Sequence, residues 1–225
     1  MSGRPSTRPA GKPSTQPAGK LRLVIASLND AKCREVAEIL AGEGLEAELL
    51  SLLSLPTIVL PAETGTTFAE NALAKAKAAA RIPAINLPTL ADDSGLEVDA
   101  LGGEPGIRSA RYLGPLATDE DRYLRVLELM QGVPEERRTA RFRCAAAFAT
   151  PGGDALLAEG TCEGAIAIAP AGEGGFGYDP IFVPNGYSVT MAQASPAEKN
   201  AISHRGRAFR ALARLIRESS CLVPE

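Results

Sequence analysis

The chain has 225 residues, 45% hydrophobic and 23% charged, with four cysteines, no Trp and a net charge of −3. That is enough for one domain with a proper core, and its composition excludes a disulfide scaffold, a fibrous protein and a disordered chain. No apolar run is long enough for a membrane span, the cysteines show no metal-site spacing, and Arg4, Arg8, Lys12 and Lys20 place local positive charge ahead of a more acidic body. These features predict a cytoplasmic protein with reduced thiols, no membrane contact and no broad nucleic-acid surface.

Residues 5–12 and 13–20 form a tandem octapeptide repeat, differing only at Arg8 and Gln16. Rich in Pro, Ser, Thr and Gly, residues 1–20 read as a disordered tail, leaving a domain over 21–220. Leu21 to Ser27 reads as a compact strand, followed by a polar turn and a helix with Val36, Ile39 and Leu40 on one face. A helix start after a strand favours anions, and Lys32 adds a point charge there, although this segment alone reads first as a capped helix with a solvated lysine. Residues 45–60 read as a strand or irregular crossover.

Thr67 and Glu70 match a capping box that opens an Ala-rich helix running to about Arg81. Glu70 then has a structural task, whereas Glu63 lies outside the box. Lys75 and Lys77 fall on different helix faces, so at most one turns inward. The next stretch, Thr89 to Tyr112, organises the chain. An apolar approach through Leu90 and Ala91 reads as the end of a buried strand, with Asp92, Asp93, Ser94 and Gly95 following at once. Alternation sends Asp92 and Asp93 to opposite sides. Such carboxylates suit Mg²⁺, a hard cation that prefers oxygen donors. Asp, Ser and Gly are also ordinary turn residues, so the stretch alone leaves a plain turn equally open.

Thr118 to Asp121 caps a further helix bearing Leu124, Leu127 and Met130. Ala140 to Phe148 alternates as a strand, Pro151 to Asp154 turns it into a second, and Gly160 to Ala169 reads as a third. Together with the opening strand–helix units, these predict an α/β fold with a mixed β-sheet. The Gly-rich run 172–177 matches a dinucleotide fingerprint by spacing, but Pro180 follows where a helix is needed. What remains is a glycine loop bearing Phe176 and Tyr178, rings that could stack on a base or fill an aromatic-poor core. Ser195 to Glu198 is a capping box with Pro at the first helical position. Ser203 caps a last helix opened by His204 and Arg205, with Phe209, Leu212 and Leu215 or Ile216 inward. A cation at a helix start is unfavourable, so Arg205 implies an anion close by.

Four blocks in order, Thr64–Asn71, Ala91–Gly95, Gly174–Pro180 and Glu198–Arg205, resemble the inosine triphosphate pyrophosphatase family, the XTP/dITP diphosphatases. The resemblance covers about Leu21 to Ile216. It implies an elongated mixed sheet with flanking helices, two lobes around a central cleft, and usually a homodimer. It also implies Mg²⁺-dependent hydrolysis of ITP, dITP or XTP to the monophosphate and pyrophosphate. By that resemblance, Ser27, Leu28, Asn29, Asp30, Ala31 and Lys32 stand at the first phosphate loop. Glu63 and Asp93 match metal carboxylates, and Asp93 also matches the general base. Lys75 matches a phosphate-side lysine, Asp92 a second acidic group and Ser94 a substrate contact. Phe176, Gly177, Tyr178 and Asp179 match the base pocket, and Lys199, His204 and Arg205 match groups around base and phosphates. The family's loop usually carries glycines where this chain has Leu28 and Ala31, which raises the question of loop geometry. The competing readings are a Maf-type pyrophosphatase of modified nucleotides and a nucleotide sensor without turnover.

Overall fold

The computed structural model describes residues 21–45, 47–52 and 60–219; the repeat tail and Cys221 lie outside them. In chain order the elements are β1 (Leu21–Ile25), α1 (Asp30–Gly42), β2 (Ala47–Ser51), α2 (Phe68–Ala80), β3 (Thr89–Val98) and α3 (Asp119–Leu129). There follow β4 (Thr139–Ala149), β5 (Ala155–Ile166), β6 (Phe182–Pro184), α4 (Pro196–Ile202) and α5 (His204–Glu218). One six-stranded sheet runs β2-β1-β3-β4-β5-β6. β1 is parallel to β2 and β3, whereas β3/β4, β4/β5 and β5/β6 are antiparallel. The expected mixed α/β sheet with flanking helices is therefore present.

Period two decides which helix covers which face. Leu23, Ile25, Leu90, Cys144, Ala146 and Phe148 pack with α1 and α5, through Val36, Ile39, Leu40, Phe209, Leu212 and Ile216. The alternate residues Val24, Ala26, Ala91, Ala145, Ala147 and Ala149 pack under α2, whose contribution is Phe68, Ala72, Ala76 and Ala79. Small residues on both partners let α2 approach the sheet closely, which suits a chain short of aromatics. Beyond this double-sided centre, Leu96, Val98, Phe142, Tyr178, Phe182 and Met191 form a third cluster with Val126 and Met130.

The chain leaves β1 for β2 on one side and returns to β3 on the other, so the carboxyl end of β1 is a switch point of the sheet. Pairing of β1 with β3 stops at Ile25 and Leu90, while β3 continues to Val98 against β4. Residues 91–95 thus stand beside an edge that β1 has vacated.

Two expectations are corrected. The acidic stretch does not close a strand: Asp92 to Gly95 lie inside β3, held by the full ladder to β4. The strand read from Gly160 to Ala169 is not separate either. β5 runs unbroken through Gly160, where a Cβ would come 2.2 Å from His204 O. That glycine marks close approach of α5, not a break. The third meander strand is the short β6. Residues 53–59 of the expected crossover lie outside the described residues.

Candidate active site

Three helix starts and the middle of β3 converge at the switch point. Asn29 caps α1: its Oδ1 accepts from Lys32 N at 3.0 Å, while Ser27 Oγ accepts from Asn29 N at 3.1 Å. Among the described residues the only non-glycine positions of positive φ are Asn86 and Leu113. Leu28 and Ala31 therefore occupy ordinary backbone conformations, and replacing the family's usual glycines imposes no strain there. Leu28 is 61% exposed, and Asp30 pairs with Arg34 on the surface, so neither turns inward.

Because β3 alternates, Asp92 shares its face with Leu90 and meets α1 and α5. Lys32 Nζ lies 3.1 Å from Asp92 Oδ2, and Arg205 Nη2 lies 3.3 Å from the same oxygen. Ser94 Oγ donates to it at 3.2 Å and accepts from Arg205 Nη2 at 3.0 Å. Arg205 Nη1 and Lys199 Nζ then share Glu35, at 2.7 and 2.6 Å, and Lys199 also contacts Asp179 Oδ2 at 2.5 Å. The anion implied by Arg205 at the start of α5 is thus supplied by the protein, as Asp92 and Glu35. Burial pushes the Asp92 carboxyl up, but Lys32, Arg205 and Lys75 outweigh it and hold Asp92 well below the usual carboxylate range.

Asp93 shares its face with Ala91 and meets α2. Asn71 Nδ2 donates to its Oδ2 at 2.8 Å, and Lys75 Nζ stands 3.5 Å from Oδ1. Lys75 also donates to Glu63 Oε1 at 2.7 Å, and Arg111 Nη1 to Glu63 Oε2 at 2.5 Å. Burial is the largest influence on Asp93 and pushes its carboxyl up; the charge of Lys75 pulls against it, and that of Glu63 adds to it. For Glu63 burial also pushes up, yet Lys75 and Arg111 prevail and its carboxyl lies low. Two oxygen-only side chains meeting at one point make a donor set that fits a hard cation retaining several waters.

A cavity of about 180 Å³ opens beside Lys32 and Ser94, lined by Phe142, Phe176, Tyr178, His204 and Arg122 among others. Asp93, Glu63 and Lys75 are not among its lining residues; they meet on the α2 face of β3. Phe176 is flanked by Lys199 Nζ at 4.5 Å and Arg205 Cζ at 5.2 Å from the ring centroid. Tyr178 is 4% exposed, and its hydroxyl donates to Ser109 O, so it serves the core as well as the cavity wall. His204 stacks on Phe142 with centroids 4.6 Å apart, and its buried Nδ1 has no hydrogen-bond partner. Burial, with the charges of Arg205 and Lys199, holds its pKa well below 6.5, so the imidazole is neutral at neutral pH.

Of the residues singled out in the sequence, Asn29, Lys32, Ser94, Phe176 to Asp179, Lys199, His204 and Arg205 line the cavity. Asp92 stands behind Lys32, Asp93 with Glu63 and Lys75 forms the second group, and Ser27 braces the α1 cap. Glu35, Asn71 and Arg111 were not singled out. Asn71 is a polar residue four before Lys75 in an Ala-rich helix, and Glu35 follows Lys32 by three, so spacing alone puts each on the correct face. Nothing local marks Arg111, whose partner Glu63 is 48 residues away.

Residues 23–215 match the Ham1 family. The dITP/XTP pyrophosphatase of Geobacillus kaustophilus is 52% identical over 187 residues, covering 83% of this chain and 90% of its own length. That of Frankia alni is 50% identical over 203 residues, covering 88% and 98%. A HAM1 protein from Coxiella burnetii superposes with a TM-score of 0.77 at 41% identity, covering 88% of this chain and all of that one. The Staphylococcus aureus Ham1 protein does so with 0.75 at 39% identity, covering 88% and 98%. The chain belongs to the Ham1 family.

Proposed function

We propose that this chain hydrolyses dITP and XTP, and ITP with them, to the monophosphate and pyrophosphate. The observation that carries this reading is the split of one acidic pair. A buried carboxylate with raised proton affinity, Asp93, sits beside Glu63 and Lys75, one residue from a carboxylate locked as an anion. The base enters the cavity against Phe176 and His204, and the phosphates run past Asn29 and Lys32 toward Asp93. Asp93 accepts a proton from a water that attacks the α-phosphorus; the new P–O bond forms as the bridging P–O bond breaks, and pyrophosphate leaves with that electron pair. Asn71 fixes the second oxygen of Asp93 during this transfer. No side chain is needed as a covalent nucleophile.

The cations Lys32, Lys75, Lys199, Arg205 and Arg111 are matched by Glu35, Glu63, Asp92, Asp93 and Asp179, each in an ion pair with at least one of them. These lysines and arginines are therefore neutralised within the protein, which favours a substrate that brings its own cation. Glu63 and Asp93 are the residues that would hold Mg²⁺, and the ion would supply charge neutralisation on the phosphates. Selectivity is assigned to His204, whose unpartnered Nδ1 can donate to a 6-oxo group; adenine's amino group would leave it unmet. Buried free thiols at Cys33, Cys144 and Cys162 support action in a reducing cytoplasm, and a homodimer is the assembly proposed.

Pyrophosphate release from dITP, XTP, dATP, dGTP and dTTP, with and without Mg²⁺, tests this reading. Metal-dependent turnover concentrated on dITP and XTP is expected. Turnover of dTTP in preference, or binding of all five without release, would overturn it.

A further inference from the structure

The loop after Phe176 is tied to a distant helix. Gly177 has φ +64, and a Cβ there would meet nothing within 4 Å. Backbone hand, not space, is what calls for glycine at this position. Its N–H donates to Asp119 Oδ2 at 2.8 Å, across 58 residues of sequence. One residue earlier, the Phe176 N–H donates to Asp179 Oδ2 at 2.8 Å. These two backbone donors are therefore engaged by carboxylates, and Gly177 has no N–H left over for a nucleotide.

Asp119 is not spent on capping its own helix. Thr118 and Asp121 already form the reciprocal capping box of α3. The other oxygen of Asp119 accepts from Arg122 Nη1 at 3.0 Å, and Arg122 Nε donates to Tyr112 O at 3.2 Å. The Arg122 side chain is only 12% exposed, and both residues line the same cavity as Phe176 and Tyr178. Val126 is the one buried side chain of α3. This helix thus touches the cavity through a carboxylate braced by a largely enclosed arginine.

We propose that Asp119 is a positioning residue for base selection. By holding Gly177, it fixes the Phe176 ring between Lys199 and Arg205 and sets the width of the slot that a purine enters. This rests on the cavity being the base subsite. Steady-state kinetics of Asp119→Ala and Asp119→Asn on dITP, XTP and dGTP give the test, with hydrogen exchange of residues 172–180 followed alongside. Asp119→Ala is expected to raise KM about tenfold with kcat within about twofold, to narrow the preference for dITP over dGTP, and to speed exchange in the loop. Asn keeps one acceptor oxygen for the Gly177 N–H, at the cost of the Arg122 pair, and is expected to restore KM and selectivity. An unchanged KM and preference in Asp119→Ala, or an Asn variant as impaired as Ala, would overturn the proposal. If the wild type hydrolyses some other nucleotide instead, the purine reading fails, and the same KM comparison on that nucleotide still decides the role of Asp119. If nothing is hydrolysed, nucleotide Kd replaces KM in the comparison.

Discussion

Asp92 and Asp93 are chain neighbours with the same residual exposure, 5% each, yet their proton affinities move in opposite directions. Burial pushes both carboxyls up. The difference lies in what each face of β3 brings. The α1/α5 face gives Asp92 the ammonium of Lys32 and the guanidinium of Arg205. The α2 face gives Asp93 a neutral amide and one lysine, which Glu63 also draws upon. One carboxylate is a permanent strut for cations, and the other is left able to take a proton. A strand's two-residue period thus separates framework from chemistry within a single dipeptide.

The most severe way to break this contrast is Asp93→Asn, which is expected to lower kcat by about a thousandfold, within the range for a lost general base. Its melting temperature should not fall. The raised carboxyl of Asp93 favours the folded state below pH 3.8 and loses that advantage as pH rises through its higher folded value, so at neutral pH its charge is a burden. An Asn variant with near-normal turnover would remove Asp93 as the base.

Asp92→Ala breaks the other half. It leaves the buried Arg205 with Glu35 as its one carboxylate partner, and loss of about 3–5 kcal/mol of stability is expected in chemical denaturation. The sign with pH is opposite to that of Asp93. Asp92's contribution is present above pH 3.8 and is lost only as acid approaches its depressed folded value. Glu63→Gln probes the α2 face more gently. It keeps the shape, removes the charge shared by Lys75 and Arg111, and should raise the Mg²⁺ concentration for half-maximal rate by roughly tenfold or more. An unchanged metal requirement would remove Glu63 from the metal site.

The smallest effect is expected at the altered loop. Ala31 lies in the first turn of α1, so restoring the family's glycine there should cost about 0.5–1 kcal/mol of stability and bring no gain in KM. A marked improvement in KM would mean that the loop must adopt a conformation in the complex that it does not have here.

What the sequence revealed follows the same division between local and distant. The helix starts at Thr67, Ser195 and Ser203 were legible because a cap and its partner lie within three residues, though the Glu70 carboxylate expected to close the Thr67 box accepts from Thr66. The opposite orientation of Asp92 and Asp93 was legible because alternation is a property of the strand itself. Gly160 misled because a glycine inside a strand marks a break or a close approach equally well, and only the position of α5 decides between them. Spacing from Lys32 puts Glu35 on the correct face but not its pairing with Arg205, 170 residues away, and Arg111 escaped altogether because its partner Glu63 stands 48 residues away. The tie from Asp119 to Gly177 is of the same kind.

Carbon-detected NMR titration of the Asp92 and Asp93 side-chain carboxyls shows which of these adjacent carboxylates takes the proton. Asp93 is expected to titrate above 3.8 and Asp92 to remain ionised well below it. Protonation of Asp92 at a higher pH than Asp93 would contradict the assignment of framework to one and chemistry to the other.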